Sequence, residues 1–190
     1  MDPQPDGQVD EMLMARVQKG DHAAFDQLVE RHLRPIHAYS YRLCRSRTDA
    51  DDLAQETFLK VWQRAETWQA GPVRVSTWLH RIAHNTFIDA WRRRDNAEPL
   101  DDENAIDLPA EDGAADSQKN TAAEISKALD TLPLNQRTAV ALSLINGFSM
   151  EETAVIMGLT PHAVESLIAR ARRALRKHAE HAYRKESQAP

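Results

Sequence analysis

Residues 96–120, NAEPLDDENAIDLPAEDGAADSQKN, constrain the fold more than any other stretch, because they cannot belong to a packed core. The segment holds two prolines, a glycine, eight acids and no aromatic residue, so burial within it cannot offset the entropy of ordering it. It reads as an acidic linker. The alternative is a capped surface helix inside one domain, since Ala and Glu are frequent, but no apolar face repeats. The linker reading divides the chain into two small domains, 1–95 and 121–190. It also locates the charge. The net charge of −5 conceals 14 Lys+Arg against 14 Asp+Glu in 1–95, one against eight in 96–120, and nine against seven in 121–190. The flanks can therefore meet phosphate although the whole chain is mildly acidic.

Both flanks are patterned as helices. In the first, apolar residues recur at helical spacing in three runs: Phe25, Leu28, Val29, Ile36, Tyr39, Leu43; Leu53, Ala54, Thr57, Phe58, Val61, Trp62; and Trp78, Leu79, Ile82, Ala83, Thr86, Trp91. Strand-like alternation is absent, which predicts a bundle of three or four helices. Asp49 or Asp51 suits the start of the second run, and Gly71-Pro72 breaks the chain before the third, where Ser76 is a candidate N-cap.

In the second flank, Ile125, Ala128, Leu129 and Leu132 make a short helix ended by Pro133. Val140, Leu144 and Ile145 make another, ended near Asn146-Gly147. A third starts at Ser149, with Glu152 in capping-box spacing, and a fourth at Thr160 with Pro161 as its first residue. The last two form a helix-turn-helix candidate. Ala154 is small where helices cross, Gly158 can enter a left-handed turn, and Val164, Leu167, Ile168, Ala171 and Leu175 anchor one side of the final helix. Its other side carries His162, Glu165, Ser166, Ala169, Arg170 and Arg173. In a DNA-reading helix the early residues reach base edges, while Arg170, Arg172, Arg173, Arg176 and Lys177 hold phosphates. A helical hairpin with a solvated basic face is the plainer alternative.

Several classes are disfavoured. One cysteine, Cys44, cannot form an intramolecular disulfide, and no run of 18 uncharged apolar residues exists. With no secretory pattern in MDPQPDGQVDEM, a cytoplasmic protein is expected. His80 and His84 are spaced i, i+4, and His178 and His181 i, i+3, but neither pair has an obvious third ligand, so no metal or other cofactor is expected. There is no Gly-rich phosphate loop and no nucleophile and base set, so the chain is not expected to be an enzyme.

DADDLAQETFLKVWQ (Asp49 to Gln63), followed by STWLHRIAHNTFIDAWRRR (Ser76 to Arg94), resembles regions 2.2 to 2.4 of bacterial sigma factors. LPLNQRTAVALSLINGFSMEETAVIMGLTPHAVESLIARARRAL (Leu132 to Leu175) is similar to region 4. The two segments in this order, with an acidic linker in place of region 3, resemble the extracytoplasmic-function (ECF, group 4) branch of the sigma-70 family. The resemblance implies an all-α chain with a region 2 bundle and a region 4 helix-turn-helix. It implies a transcription initiation factor that binds core RNA polymerase, recognises −10 and −35 promoter elements and assists strand opening. It also implies control by an anti-sigma factor, often membrane-anchored. Asp49, Asp52, Gln55, Glu56 and Lys60 project from the 2.2-like helix as a polar, acidic surface suited to a basic protein partner. By resemblance that partner is the clamp of the largest polymerase subunit; a merely solvated face is the alternative.

Trp78, Arg81, His84, Asn85, Arg92, Arg93 and Arg94 mix aromatic, amide and cationic groups suited to an opened strand. By resemblance this helix and the loop 66–75 hold the −10 element, and His162, Glu165, Ser166, Arg170, Arg172, Arg173 and Lys177 hold the −35 element. Trp78 and Trp91 also suit a core. The linker extends roughly 80 Å at about 3.3 Å per residue, enough to span the roughly 70 Å of two DNA turns. Glu165 and Leu167 depart from the Lys and Arg that many relatives carry. Glu165 has Ile168 and Ala169 three and four residues on, so an intrahelical ion pair is not expected. Interaction with the helix N-terminus, solvation, and acceptance of a hydrogen bond from cytosine N4 stay open. Two rival classes also fit the residues: a dimeric helix-turn-helix regulator with a sensing or dimerising bundle, and an adaptor that acts without touching DNA.

Overall fold

The computed structural model describes residues 5–71, 73–95 and 128–186. Residues 96–120, expected to be a linker, lie outside them. Among the described residues every regular element is helical.

Among the described residues the first half has four α-helices and one short 3-10 turn, Ala65–Thr67. α1 (Pro5–Val17) was not legible in the apolar pattern, because Val9 and Met12 are exposed while Leu13, Met14 and Val17 are buried. Polar contacts fix it as firmly as apolar ones. Asp10 is buried and accepts from Arg31 Nε at 2.7 Å and bonds His32 Nε2 at 2.8 Å. Burial pushes the Asp10 carboxyl up, but the bonds from His32 and Arg31 outweigh it and leave the group below its usual range. After a turn at Gly20, α2 (His22–Cys44) starts under an Asp21 cap whose Oδ1 accepts from the Ala24 N–H at 3.1 Å. It ends in the left-handed Arg45, φ 59°.

α3 (Arg47–Arg64) begins earlier than Asp49 or Asp51: Ser46 is the cap, its Oγ accepting from the Asp49 N–H at 3.3 Å. α4 (Val75–Asp95) likewise starts before Ser76, whose carbonyl is used inside the helix. At α3 a short polar residue at the true boundary, Ser46, competes with similar ones within the first turn, and periodicity alone does not choose between them.

The second half opens with a helical turn at 128–130, followed by α5 (Leu134–Val140). The helix then widens into a π turn, Ala141–Ile145, closed by the Asn146 N–H on the Ala141 carbonyl at 2.9 Å. That wider turn rotates the side chains out of the 3.6-residue register. Leu144 and Ile145, expected inside, are therefore 51% and 39% exposed. α6 (Met150–Met157) carries the full capping box. The Glu152 N–H donates to Ser149 Oγ at 3.1 Å and the Ser149 N–H to Glu152 Oε2 at 2.9 Å. Gly158, at φ 67°, ends α6 in the left-handed region, where a side chain costs about 1 kcal/mol or more. α7 (Pro161–Glu186) starts at the Thr160 cap, whose Oγ1 accepts from the Ala163 N–H at 3.2 Å.

The two halves are packed together. α4 lies against α6, and α2 against α5 and the π turn. Leu134, Ala141, Leu142, Phe148 and Ile156 of the second half join Tyr39, Leu43, Leu79 and Ala83 of the first in one apolar core. Each large side chain so buried contributes ~1.5–3 kcal/mol before entropy is counted. A smaller core holds the helix-turn-helix: Ala139, Ala154, Val164, Leu167 and Ile168.

Candidate nucleic-acid and polymerase interfaces

The crossing of α6 and α7 fixes what α7 shows to solvent. Val164, Leu167, Ile168 and Ala171 are buried, so His162, Glu165, Ala169, Arg170, Arg172, Arg173 and Lys177 are exposed and Ser166 is half-buried. The expected −35 residues thus share an open surface. Leu167 is part of the packing rather than of that surface. Glu165 does have an intrahelical neighbour, on the N-terminal side rather than three or four residues on. His162 Nδ1 lies 3.8 Å from Glu165 Oε2, with both side chains mostly exposed. Such a pair contributes little to stability, and it leaves the carboxylate accessible. Glu165, Ser166, Ala169 and Arg172 line a groove of about 440 Å³ with Met150 of α6.

On α4, Arg81, Asn85, Arg92 and Arg93 are exposed and Trp78 is half-buried against the core. At spacings i, i+3 and i+7, Trp78, Arg81 and Asn85 follow one face. The side chain of Arg94 lies outside the described residues. His84 does not join this face. It is buried at 6% exposure, and its Nδ1 is hydrogen-bonded to the Tyr39 hydroxyl at 3.2 Å. Burial lowers its pKa to about 4, so the ring is neutral. Arg81 and Asn85 occupy the outward positions of the turn, which leaves His84 to the core. Trp91 is also a core residue.

On α3, Asp52 and Gln55 are exposed, and Asp49, Glu56 and Lys60 are half-buried. Lys60 is held by Glu56 at 2.8 Å and donates to Thr86 at 3.2 Å, so it braces α3 on α4 as well as adding charge. Leu59 stands on the same polar face at 56% exposure. It lies off the inward stripe that the apolar spacing of α3 marks.

Between the halves lies a cleft of about 460 Å³, lined by Arg31, His32, Arg74 and His80 on one side and Asn146 and Phe148 on the other. Arg74 Nε and Nη2 donate to the two oxygens of Glu152 at 2.8 and 3.0 Å, and Thr77 Oγ1 donates to Glu152 Oε1 at 3.0 Å. Burial raises the Glu152 carboxyl, but the bonds from Arg74, the Ser149 N–H and Thr77 outweigh it, so it sits below its usual range. His80 is buried with Nδ1 2.8 Å from the Ser76 carbonyl, so Nδ1 carries the proton and Nε2 accepts from Asn146 Nδ2 at 3.4 Å. Its ring meets Phe148 edge-on, centroids 4.7 Å apart. Further along, Arg45 Nε lies 2.9 Å from Asp130 Oδ1 and the buried Arg137 Nη1 3.8 Å from the same oxygen. No sequence signal pairs residues 78 positions apart, so Arg74 and Glu152 were invisible as partners.

Two helical units in this order, the second a helix-turn-helix with an exposed basic face, define a class, and the matches to known proteins agree with it. Residues 28–97 match the model of Sigma-70 region 2 and residues 122–175 that of Sigma-70, region 4. The chain belongs to the sigma-70 family, and within it to the ECF RNA polymerase sigma factors. It is 38% identical over 164 residues to the ECF RNA polymerase sigma factor SigM of Mycobacterium tuberculosis, covering 85% of this chain and 80% of that one. It is 38% identical over 167 residues to SigE of Mycolicibacterium smegmatis, covering 83% of this chain and 63% of SigE. Among solved structures it is similar to CnrH in complex with the cytosolic domain of CnrY: TM-score 0.69, 27% identity, 90% of this chain and 97% of that one. It is also similar to the sigma factor RpoE in complex with the anti-sigma factor NepR from Bartonella quintana: TM-score 0.63, 29% identity, 82% and 96%.

Proposed function

We propose that this sigma factor carries core RNA polymerase to its promoters. In this reading residues 1–95 dock on polymerase and hold the opened −10 element, 96–120 are a tether, and 121–190 bind the −35 element. The observation that carries the reading is the helix-turn-helix surface of α7, where buried anchors leave His162, Glu165, Arg170, Arg172 and Arg173 on one open face. The acidic outer face of α3, with Leu59 toward its C-terminal end, serves the polymerase clamp. The Trp78, Arg81, Asn85 face of α4, continued by Arg92 and Arg93, serves the non-template strand. Polymerase supplies the metal ions and the chemistry.

The docked halves bring α4 and α6 into contact, whereas two promoter elements about 70 Å apart require them separated. The docked form is therefore an off state. Two similar chains have been solved with a partner bound, in one case a named anti-sigma factor. This supports an anti-sigma factor, on the membrane or in the cytoplasm, that holds the chain in that state. Among the described residues no helix is long and apolar enough to cross a membrane.

In vitro transcription with purified core enzyme on a promoter library tests the function. Promoter-specific transcripts are expected only when both core and this protein are present. Tight binding of a palindromic duplex by the protein alone, with no directed initiation, would instead identify a dimeric regulator.

A further inference from the structure

We propose that Arg74 is a phosphate-binding residue for the opened −10 strand, and that Glu152 blocks it in the docked form by offering a carboxylate in the phosphate's place. The inference rests on the reading of α4 as the −10 surface and adds to it a residue and a competitor.

Three observations converge on Arg74. Its carbonyl accepts the Trp78 N–H at 3.1 Å, which places it one turn before Trp78. Arg74, Trp78, Arg81 and Asn85 therefore follow one face of α4 and the residue leading into it. Second, its guanidinium is presented as a fork, Nε and Nη2 together on one pair of oxygens. A phosphate accepts the same fork, because carboxylate and phosphate offer matching oxygen pairs. Third, the carboxylate comes from the other half of the molecule, from α6, and Arg74 has no other ion pair among the described residues. When the halves part, a cation 57% exposed even when paired is left without its anion on a strand-binding face. The wall behind it holds Arg31, with Asp10 keeping Arg31 and His32 in place.

Glu152 has two roles that can be separated. Its Oε2 accepts the Ser149 N–H to close the capping box, and both oxygens accept from Arg74. Gln also serves at the third position of a capping box, so Glu152→Gln keeps the helix start and removes the charge that competes with phosphate. The competition is intramolecular, since strand and α6 claim the same cation.

The test measures binding of a fluorescent single-stranded −10 oligonucleotide by the full-length chain, alone and with core polymerase, across a salt series. Arg74→Ala should weaken binding by the polymerase complex roughly tenfold and reduce the slope of log K against log salt by about 0.7, the signature of one lost single-strand phosphate contact. Glu152→Gln should strengthen binding by the protein alone roughly threefold, and that gain should vanish in the Arg74→Ala background. Circular dichroism and binding of −35 duplex should be unchanged in all variants. An unchanged affinity and slope for Arg74→Ala in a complex that binds the strand overturns this inference alone. An equal gain from Glu152→Gln with and without Arg74 also overturns it, because Glu152 would then act through general repulsion. A loss of the same size on duplex −10 DNA overturns the assignment to the opened strand. If the wild-type complex binds no −10 strand, the reading of α4 fails as well.

Discussion

Lowering the pH from 7.5 to 5.5 should loosen the two halves from one another, and His80 sets the size of the effect. Burial, aided by the nearby His32 charge, lowers His80 from its ordinary 6.5 to about 4. Its Nδ1–H is committed to the Ser76 carbonyl and its Nε2 accepts from Asn146, so the docked form binds only the neutral ring. Opening removes Asn146 and Phe148 from the ring and lets its pKa return toward 6.5. Because the docked value is the lower one, docking is fully favoured above pH 6.5 and loses stability as pH falls from there toward 4. At pH 5.5 the open form gains about tenfold in relative population, about 1.4 kcal/mol, if the ring is fully hydrated on opening.

The lowered carboxyls of Asp10 and Glu152 stay ionised throughout the interval. His84 is held inside the first half and charges only if that half unfolds. Small-angle scattering at the two pH values reads the separation as a rise in the radius of gyration, with far-UV circular dichroism as the check that helices persist. His80→Gln, whose amide can still accept from Asn146, should stay docked at both. An unchanged radius in wild type, or an increase that His80→Gln shares, would refute the reasoning.

Three other outcomes follow from particular contacts. Gly158→Ala should destabilise the second half by about 1 kcal/mol by thermal melting, wholly through the left-handed backbone, since no atom lies within 4 Å of the added methyl. Arg137 is 2% exposed, and its Nε and Nη2 have no hydrogen-bond partner among the described residues. Arg137→Met should therefore stay within about 1 kcal/mol of wild type in urea melts, whereas Asp130→Ala, which strands the cation, should cost roughly 2–3 kcal/mol. Glu165→Lys should change which −35 sequences are selected from a library. A uniform gain in affinity without a change of preference would make Glu165 a repulsive spectator rather than a base reader.

What the sequence disclosed depends on how local the cause was. The capping box Ser149 to Glu152, the Gly158 turn and the Thr160-Pro161 start are written within four residues, and each is legible in the sequence alone. So are the buried anchors of α7, which follow from the 3.6 period. Leu144 and Ile145 were placed wrongly because a π turn breaks that period without a marker residue. His84 was read as a strand-binding group by its polarity, although its position in α4 points it at Tyr39. The Glu165 pairing runs toward the N-terminus, to His162, and not to positions 168 and 169. Arg74 and Glu152, or His80 and Asn146, meet only because two halves dock, and no local pattern encodes that meeting.

The apolar core that runs through both halves has a mechanical consequence. Because Leu142, Phe148 and Ile156 complete a core begun by Tyr39, Leu43 and Leu79, the docked chain should melt as one cooperative unit and the separated chain as two. Whatever pulls the halves apart also changes how the molecule comes undone, and it bares a hydrophobic surface on each. The active form is then the more fragile one, and its lifetime depends on how soon polymerase and promoter cover what opening has uncovered.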